Sequence, residues 1–310
     1  KNISNDDLEN RNDSDLYGAT LSLWSGLAKF KSTAPYIRVF NPETWKHGWH
    51  STHTIDEFIV NDMPFLVDSV RMSLNRLNIT AHLFLHSPIA IKRNDKAQVT
   101  AFAEPGKTLE GTRKETVIFI EVDRQTSKSD IETLTKELHS VVDEVSLAVA
   151  DWQDMTGKLQ TVIKDTAKFN WPVSAAHKKQ TKTFLEWLSD HNFTMMGYRY
   201  YEVKAIEGDH RWIPANDTSL GLLKNSINDR ERLLSKLPAS AREEALSDHP
   251  LILTKTNSRS RVHRPAYMDY VGVKVFNKVG NVVGEHRFLG LYSASFYNMS
   301  VTQLPILKEK

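Results

Sequence analysis

The spacing of apolar residues changes between Thr54 and Leu77, and that change constrains the fold more than any other feature of the chain. Thr54 to Val60 reads as a strand, its side chains pointing alternately to opposite faces. From Leu66 the apolar residues recur as Leu66, Val70, Leu74 and Leu77, one stripe of a helix that stops near Asn78. Between the two lies Asn61-Asp62-Met63-Pro64, which predicts the turn. Asp62 is placed to cap the helix, and Pro64 falls in its first turn, where a missing N–H costs nothing.

Other segments complete a module around this unit. Ser14 is a candidate N-cap for a helix to about Phe30, with Leu16, Ala19, Leu23, Leu27 and Phe30 near helical spacing. Tyr36 to Phe40 is a short strand closed by Asn41-Pro42. Ile79 to Ile91 is extended, Gln98 to Glu104 adds a strand, and Glu115 to Asp123 is the clearest buried strand of this half. Ser129 with Glu132 predicts a capping box, followed by the apolar face Ile131, Leu134, Leu138, Val141, Val145 and Trp152. The order predicts an α+β, ferredoxin-like sandwich with both helices on one face. No fourth strand follows the second helix, which leaves Tyr36 to Phe40 to fill that edge.

Asn170-Trp171-Pro172, within Lys164 to Ser174, reads as the boundary to a second module. A helix carrying Phe184, Leu185 and Leu188 opens it. Strands at Phe193 to Val203 and Arg211 to Pro214 follow, then helical stretches at Ser219 to Lys224 and Asp229 to Leu246. Three strands close it, Leu251 to Thr256, Tyr267 to Phe276 and Val282 to Tyr292, the last two joined by a Gly-containing hairpin turn at Asn277 to Gly280. This order is similar to that of PAS-like and GAF-like sensor domains. The expected organisation is therefore a helical arm and edge strand (1–50), a sandwich (51–163), a linker (164–176), a PAS-like antiparallel sheet domain (177–298) and the start of an interrupted helix (299–310). Both ends read as cuts from a longer chain.

Composition narrows the function. The 310 residues suit two domains. A formal net charge of +2 gives no reason to expect nucleic acid or an anionic membrane as partner. There is no cysteine, which removes disulfides and thiol chemistry and fits a reducing, cytoplasmic setting. No apolar run reaches the roughly 20 residues of a membrane helix. Gly272, Gly280, Gly284 and Gly290 never form G-x-G-x-x-G, and Gly106-Lys107-Thr108 lacks the first glycine of a phosphate loop, since Ala101 stands there. No catalytic or cofactor-binding residue is therefore expected in this chain.

The candidate sites are few. His47, His50 and His53 flank Trp49 at spacings of three, but Gly48 and Ser51-Thr52 make the segment a loop, and no metal is expected there. His82 and His86 share a strand face without a catalytic partner. Arg259, Arg261 and His263 alternate along an extended stretch beside Arg264. They form either a clamp for a carboxylate or phosphate, or ion pairs with Glu243, Glu244 or Glu285. The loop Asn61, Asp62, Met63, Pro64, Phe65 and Leu66 offers a helix N-terminus, where free N–H groups hold anions.

That loop resembles the first turn of an ACT domain, an amino-acid-sensing or dimerising module whose usual pattern is Asp-x-Pro-Gly-Leu. Asp62, Pro64 and Leu66 are in register, and Phe65 stands where the family has glycine. Longer strings extend the resemblance. Asp15 to Ala19, Arg38 to Pro42, Asn61 to Val70 with Leu74-Asn75-Arg76, Val262 to Lys274 and Gly284 to Tyr292 resemble the N-terminal region of the large bacterial NAD-specific glutamate dehydrogenases. The resemblance implies ACT-like and PAS-like modules preceding a catalytic domain that oxidatively deaminates L-glutamate with NAD. It implies a regulatory or assembly role for these residues. The partners would be the downstream catalytic domain and sister subunits of a homo-oligomer, and the effector an amino acid or keto acid. A stand-alone small-molecule sensor is the other reading.

Overall fold

The computed structural model describes residues 11–104, 106–107, 109–206, 208–224 and 231–298, without the side chains of Asn216 and Tyr297. The first half contains α1 (Asp13–Lys29), β1 (Tyr36–Phe40), α2 (Thr44–His47), β2 (Thr54–Asn61), α3 (Leu66–Arg76), β3 (Ala81–Arg93), β4 (Val99–Phe102), β5 (Thr112–Val122) and α4 (Lys128–Ala150). The second contains α5 (Trp152–Asp165), α6 (Ala175–Trp187), β6 (Phe193–Ile206), β7 (Asp209–Gly221), β8 (Arg232–Leu233), α7 (Ala239–Leu246), β9 (Leu251–Arg259), β10 (Tyr267–Phe276) and β11 (Val282–Tyr292). Contacts divide the chain into two units, residues 1–145 with 261–264, and 146–260 with 265–310.

The first unit is built on an antiparallel sheet in the order β1-β2-β5-β3-β4. β5 lies antiparallel between β2 and β3, and β1 fills the outer edge beside β2, the place expected for Tyr36 to Phe40. On one face Phe58, Val60, Ile118 and Ile120 pack against Leu66, Val70 and Leu74 of α3 and Leu134, Leu138 and Val141 of α4. The other face is covered as well. Leu27 and Phe30 from the α1 segment pack on Ile59 and Ile91, and a Cβ at Gly26 would come 2.7 Å from the Tyr36 ring. The buried Arg93 binds both oxygens of Glu115 (2.7 and 2.6 Å) and donates to the Leu27 carbonyl at 3.1 Å, so one guanidinium ties α1 to β3 and β5. The helical arm expected at the N-terminus is thus a third layer.

The second unit carries a sheet in the order β8-β7-β6-β11-β10-β9, also antiparallel throughout. Met155, Leu159, Phe169, Trp171, Phe184 and Leu185 pack with Tyr198, Val271, Val273 and Phe288 in its core. The β10–β11 hairpin has the expected bounds, with Gly280 at φ +88° in its turn.

Several expectations are corrected. Asn12, not Ser14, caps α1, its side chain accepting from the Ser14 amide at 3.0 Å. Ser127, not Ser129, caps α4, accepting from the Asp130 amide at 3.0 Å. Trp152 opens α5 and is half exposed, because the helix breaks at Asp151. Ser219 to Lys224 is the end of β7 and a turn, and α7 begins only at Ala239, since Pro238 holds Leu237 in an extended conformation (φ −82°, ψ 154°). The expected helix over 229–246 otherwise becomes β8 and a short 3-10 turn; Asp229 and Arg230 lie outside the described residues, as do 299–310. The segment 164–176 is no exposed linker. Phe169 and Trp171 are buried in the second unit's core, where the Trp171 indole N–H donates to the Lys274 carbonyl at 2.8 Å. Among the described residues no helix is long and apolar enough to cross a membrane.

β2 lacks a polar face because both its faces are covered: every residue from Thr54 to Val60 is buried. Asp56 is fully buried, and neither carboxylate oxygen has a hydrogen-bond partner among the described residues. Burial pushes its carboxyl well above the usual carboxylate range. The folded chain therefore holds this proton more tightly than the unfolded chain. Stability contributed by the neutral group is present at low pH and falls as pH rises from the ordinary aspartate value, about 4, through the raised one. Asp56→Asn removes the titration. Urea unfolding of both proteins between pH 4 and 8 should show the variant gaining on the wild type by up to about 1.4 kcal/mol per pH unit in that window. A pH-independent difference would show that Asp56 is not held neutral.

Candidate functional site

The strand-to-helix loop is the first candidate. After β2 the chain does not turn at once into the helix. The Asp62 amide donates to the Lys114 carbonyl at 3.1 Å, and Asp62 Oδ1 accepts from Thr116 Oγ1 at 2.6 Å. Asp62 thus extends the pairing with β5 and cannot cap α3. The helix starts at Leu66, and the residue before it, Phe65, is left-handed (φ 69°, ψ −6°). This corrects the assignment of Asp62 as N-cap and of Pro64 to the first turn. It also shows what the position demands: a conformation natural to glycine is adopted here by phenylalanine. Phe65 O accepts from both the amide (3.0 Å) and the hydroxyl (2.6 Å) of Ser69.

Residues 261–264 lie over this helix start. The His263 ring stands 4.7 Å from the Phe65 ring, and the His263 amide donates to Ser69 Oγ at 3.1 Å. His263 is also left-handed (φ 71°). Burial, then Arg264, lowers its pKa against an opposing effect of Asp68. Arg261 reaches α4, donating to Glu137 at 2.8 Å and Ser140 at 2.9 Å and pairing with Glu144; Arg76 also pairs with Glu137. Burial raises the Glu144 pKa, with Arg261 and Arg76 opposing.

The four residues are therefore not one side of a strand. β9 ends at Arg259, whose guanidinium lies 5.1 Å from the centre of the Tyr267 ring, and 261–264 form a bend around the buried Val262. Arg261 does have carboxylate partners, but they are Glu137 and Glu144 and not Glu243, Glu244 or Glu285. The reason is tertiary: a strand pattern cannot show that the chain leaves its sheet after Arg259.

Sequence reasoning missed a buried polar group in the second unit. Glu285 accepts from the Trp212 indole at 2.7 Å and from the Tyr270 hydroxyl, and Arg287 donates to that hydroxyl at 3.0 Å while lying 3.9 Å from the centre of the Tyr201 ring. Lys274, also buried, donates to the carbonyls of Glu244 and Ser247 (both 2.8 Å), and burial lowers its pKa to about 8. Lys274 stands between Val273 and Val275 in β10, and Glu285 and Arg287 flank His286 in β11. Charged residues inside these strands are the one signal available, and they read as a solvated sheet face until the covering elements are known. Of the histidines, His47 Nδ1 accepts from the Glu43 amide (3.0 Å) and His82 contacts Asp123 (2.7 Å). Among the described residues no cluster of three or more His, Asp or Glu is placed to hold a metal.

Comparison with known proteins gives the lineage. Residues 1–138 match the family described as glutamate dehydrogenase, ACT1 domain. The chain is 36% identical over 307 residues to the NAD-specific glutamate dehydrogenase of Halomonas elongata. It is 35% identical over 312 residues to that of Pseudomonas aeruginosa, and 21% over 246 residues to that of Mycobacterium tuberculosis. The chain falls in the NAD-specific glutamate dehydrogenase family. The alignments take in 98%, 99% and 79% of this chain but only 19%, 19% and 14% of the relatives' lengths. The ACT resemblance of the 61–66 loop and the match over 1–138 therefore agree, and Phe65 marks where this loop departs from the usual glycine.

The left-handed backbone at Phe65 is open to a direct test. Phe65→Ala loses the ring contact and keeps a Cβ in the left-handed region, whereas Phe65→Gly loses the ring and removes that strain. The glycine variant should be the more stable of the two by about 1 kcal/mol in urea unfolding. Equal stabilities, or alanine the higher, would show that the loop does not hold this conformation.

Proposed function

We propose that the chain is a non-catalytic regulatory and assembly segment, N-terminal in an NAD-dependent glutamate dehydrogenase. The parent reaction converts L-glutamate, NAD and water to 2-oxoglutarate, ammonium and NADH, using NAD bound outside these residues. The observation that carries this is a disproportion: nearly all of this chain aligns with the relatives, yet it spans 19% of their length. The strand-to-helix turn at 61–66 supports it, since it has no glycine to admit a pyrophosphate and Phe65 stands against its helix.

Assembly is favoured over sensing at the 61–66 loop. The helix start that would receive an amino-acid carboxylate is already contacted by His263 through Phe65 and Ser69. Sister subunits and the catalytic domain are the partners in this reading, in a homo-oligomer. The second unit is read as a PAS-like sensor module: with β6 counted as the first strand, its five long strands follow the order 2-1-5-4-3. Arg259, Arg261, His263 and Arg264 then serve to hold that architecture, and a free amino-acid or keto-acid effector binds elsewhere.

The test compares the full-length enzyme encoded with this chain against the same enzyme lacking residues 1–310. The truncated protein should keep a measurable rate of glutamate-dependent NAD reduction but lose its native oligomeric state or its response to amino and keto acids. The isolated chain should show no such rate. Turnover by the isolated chain, or unchanged assembly and effector response in the truncated enzyme, would overturn the proposal.

A further inference from the structure

We propose that the outer face of α1 docks on the same face of α1 in a second copy of this chain, the two helices lying antiparallel about a twofold axis. α1 has two apolar faces. On the inner one Leu23 and Leu27 pack on the sheet beneath. The outer one runs Tyr17, Leu21, Trp24 and Ala28, at spacings of four, three and four, the repeat of a coiled-coil seam. All four are exposed, Tyr17 by 67% and Trp24 by 50%. The Trp24 ring lies 6.1 Å from that of Phe102, itself exposed at the end of β4, so the patch continues onto the edge of the sheet. α1 cannot roll to hide this face, because its inner side is in close contact: a Cβ at Gly18 would come 2.4 Å from Trp49 Cβ. Two aromatic rings and a leucine on one exposed helix face mark an interaction surface.

The occupant follows from the face being complementary to itself. In the antiparallel register that sets Leu21 against Trp24 of the second copy, Tyr17 falls against Ala28, a large side chain on a small one. The same register brings Asp13, exposed in the first turn of α1, beside Lys31 of the second copy, exposed just past the last turn. The twofold axis makes each of these contacts twice, and the antiparallel helix dipoles favour the arrangement as the charges do. Parallel helices would instead set Asp13 against Asp13 and Lys31 against Lys31. α1 is about 25 Å long at 1.5 Å per residue, too short to bury the roughly 800 Å² per partner of a standard interface. The pair is therefore weak in the isolated chain and gains strength where other contacts already hold two subunits together. The pairing uses the side of the sheet opposite α3 and α4 and no part of the 61–66 loop. It rests on the assembly reading given above, to which it adds the surface and the partner.

The test is sedimentation velocity of the 310-residue chain at rising concentration. It should show a monomer–dimer equilibrium with a dissociation constant of about 100 μM. Leu21→Asp puts like charges at the centre of the pair and should leave the chain monomeric at about 500 μM, with its circular dichroism unchanged because Leu21 is exposed in the monomer. Trp24→Ala should weaken association about tenfold. Lys31→Asp turns two attractions into two repulsions and should weaken it about threefold or more. An equimolar mixture of Lys31→Asp and Asp13→Lys chains should recover the wild-type association, since a mixed pair matches at both ends. A wild-type chain that stays monomeric at about 500 μM, association unaffected by Leu21→Asp, or association unaffected by Lys31→Asp would each overturn the proposal. The two readings fall separately. A monomeric isolated chain removes this surface and leaves the truncation experiment untouched, whereas a truncated enzyme that keeps its native assembly removes the assembly reading even if the isolated chain pairs.

Discussion

The pairing of β2 with β5 is the constraint on which the first unit depends. Eight residue pairs, Thr54 with Val122 through Asn61 with Glu115, run down the middle of the sheet. A central strand pair with apolar side chains on both faces cannot leave either face to water. α3 and α4 cover one, and α1 with Trp49 covers the other. The same demand explains the buried charges. Arg93 and Glu115 satisfy each other, and Arg93 and Arg113 hold the Glu115 carboxyl below the usual range although burial opposes it. Asp56, on the neighbouring strand β2, has no such partner among the described residues, and burial pushes its carboxyl well above the usual range. Two carboxyl groups in one core are thus pushed in opposite directions, each by what stands beside it.

Much of this was legible in the sequence, and the failures share a cause. Periodicity found α1, β1, β2, α3, β5 and the β10–β11 hairpin because each signal lies within one element. The edge position of β1 followed from counting strands. What escaped were decisions made between elements. Asp62 looked like a cap because Asp caps helices, yet Lys114 and Thr116 of β5 claim it first. Arg259, Arg261 and His263 looked like one strand face because nothing local announces that the chain leaves the sheet there. Pro238 was the exception, a local signal passed over: a proline that close to a supposed helix interior should have moved the start to Ala239.

The second unit shows the same limit from the other side. Its β10 and β11 strands carry charged residues among apolar ones, which reads as a sheet with one solvated face. Instead, Lys274, Glu285 and Arg287 are largely or fully enclosed, and each is satisfied: Lys274 by carbonyls at the end of α7, Glu285 by Trp212 and Tyr270, Arg287 by that tyrosine and the Tyr201 ring. A polar group taken from water without partners costs of order 1–3 kcal/mol, so such a set persists only when it is complete. Gly272 belongs to it by absence, since a Cβ there would come 2.8 Å from Glu285 Oε1.

The two aromatic residues at the start of α3 make the strongest physical case about function. Left-handed backbone costs a side chain-bearing residue roughly 1–2 kcal/mol, and here Phe65 and His263 both bear it. They do so in contact with each other, at a helix N-terminus whose usual family residue, glycine, leaves the backbone open to a ligand. Their strain is offset by the ring contact, by the His263 amide on Ser69 and by the hold of Arg261 on Glu137 and Glu144. A loop kept for ligand access gains nothing from that expenditure of stability, whereas a loop kept to bind its own chain does.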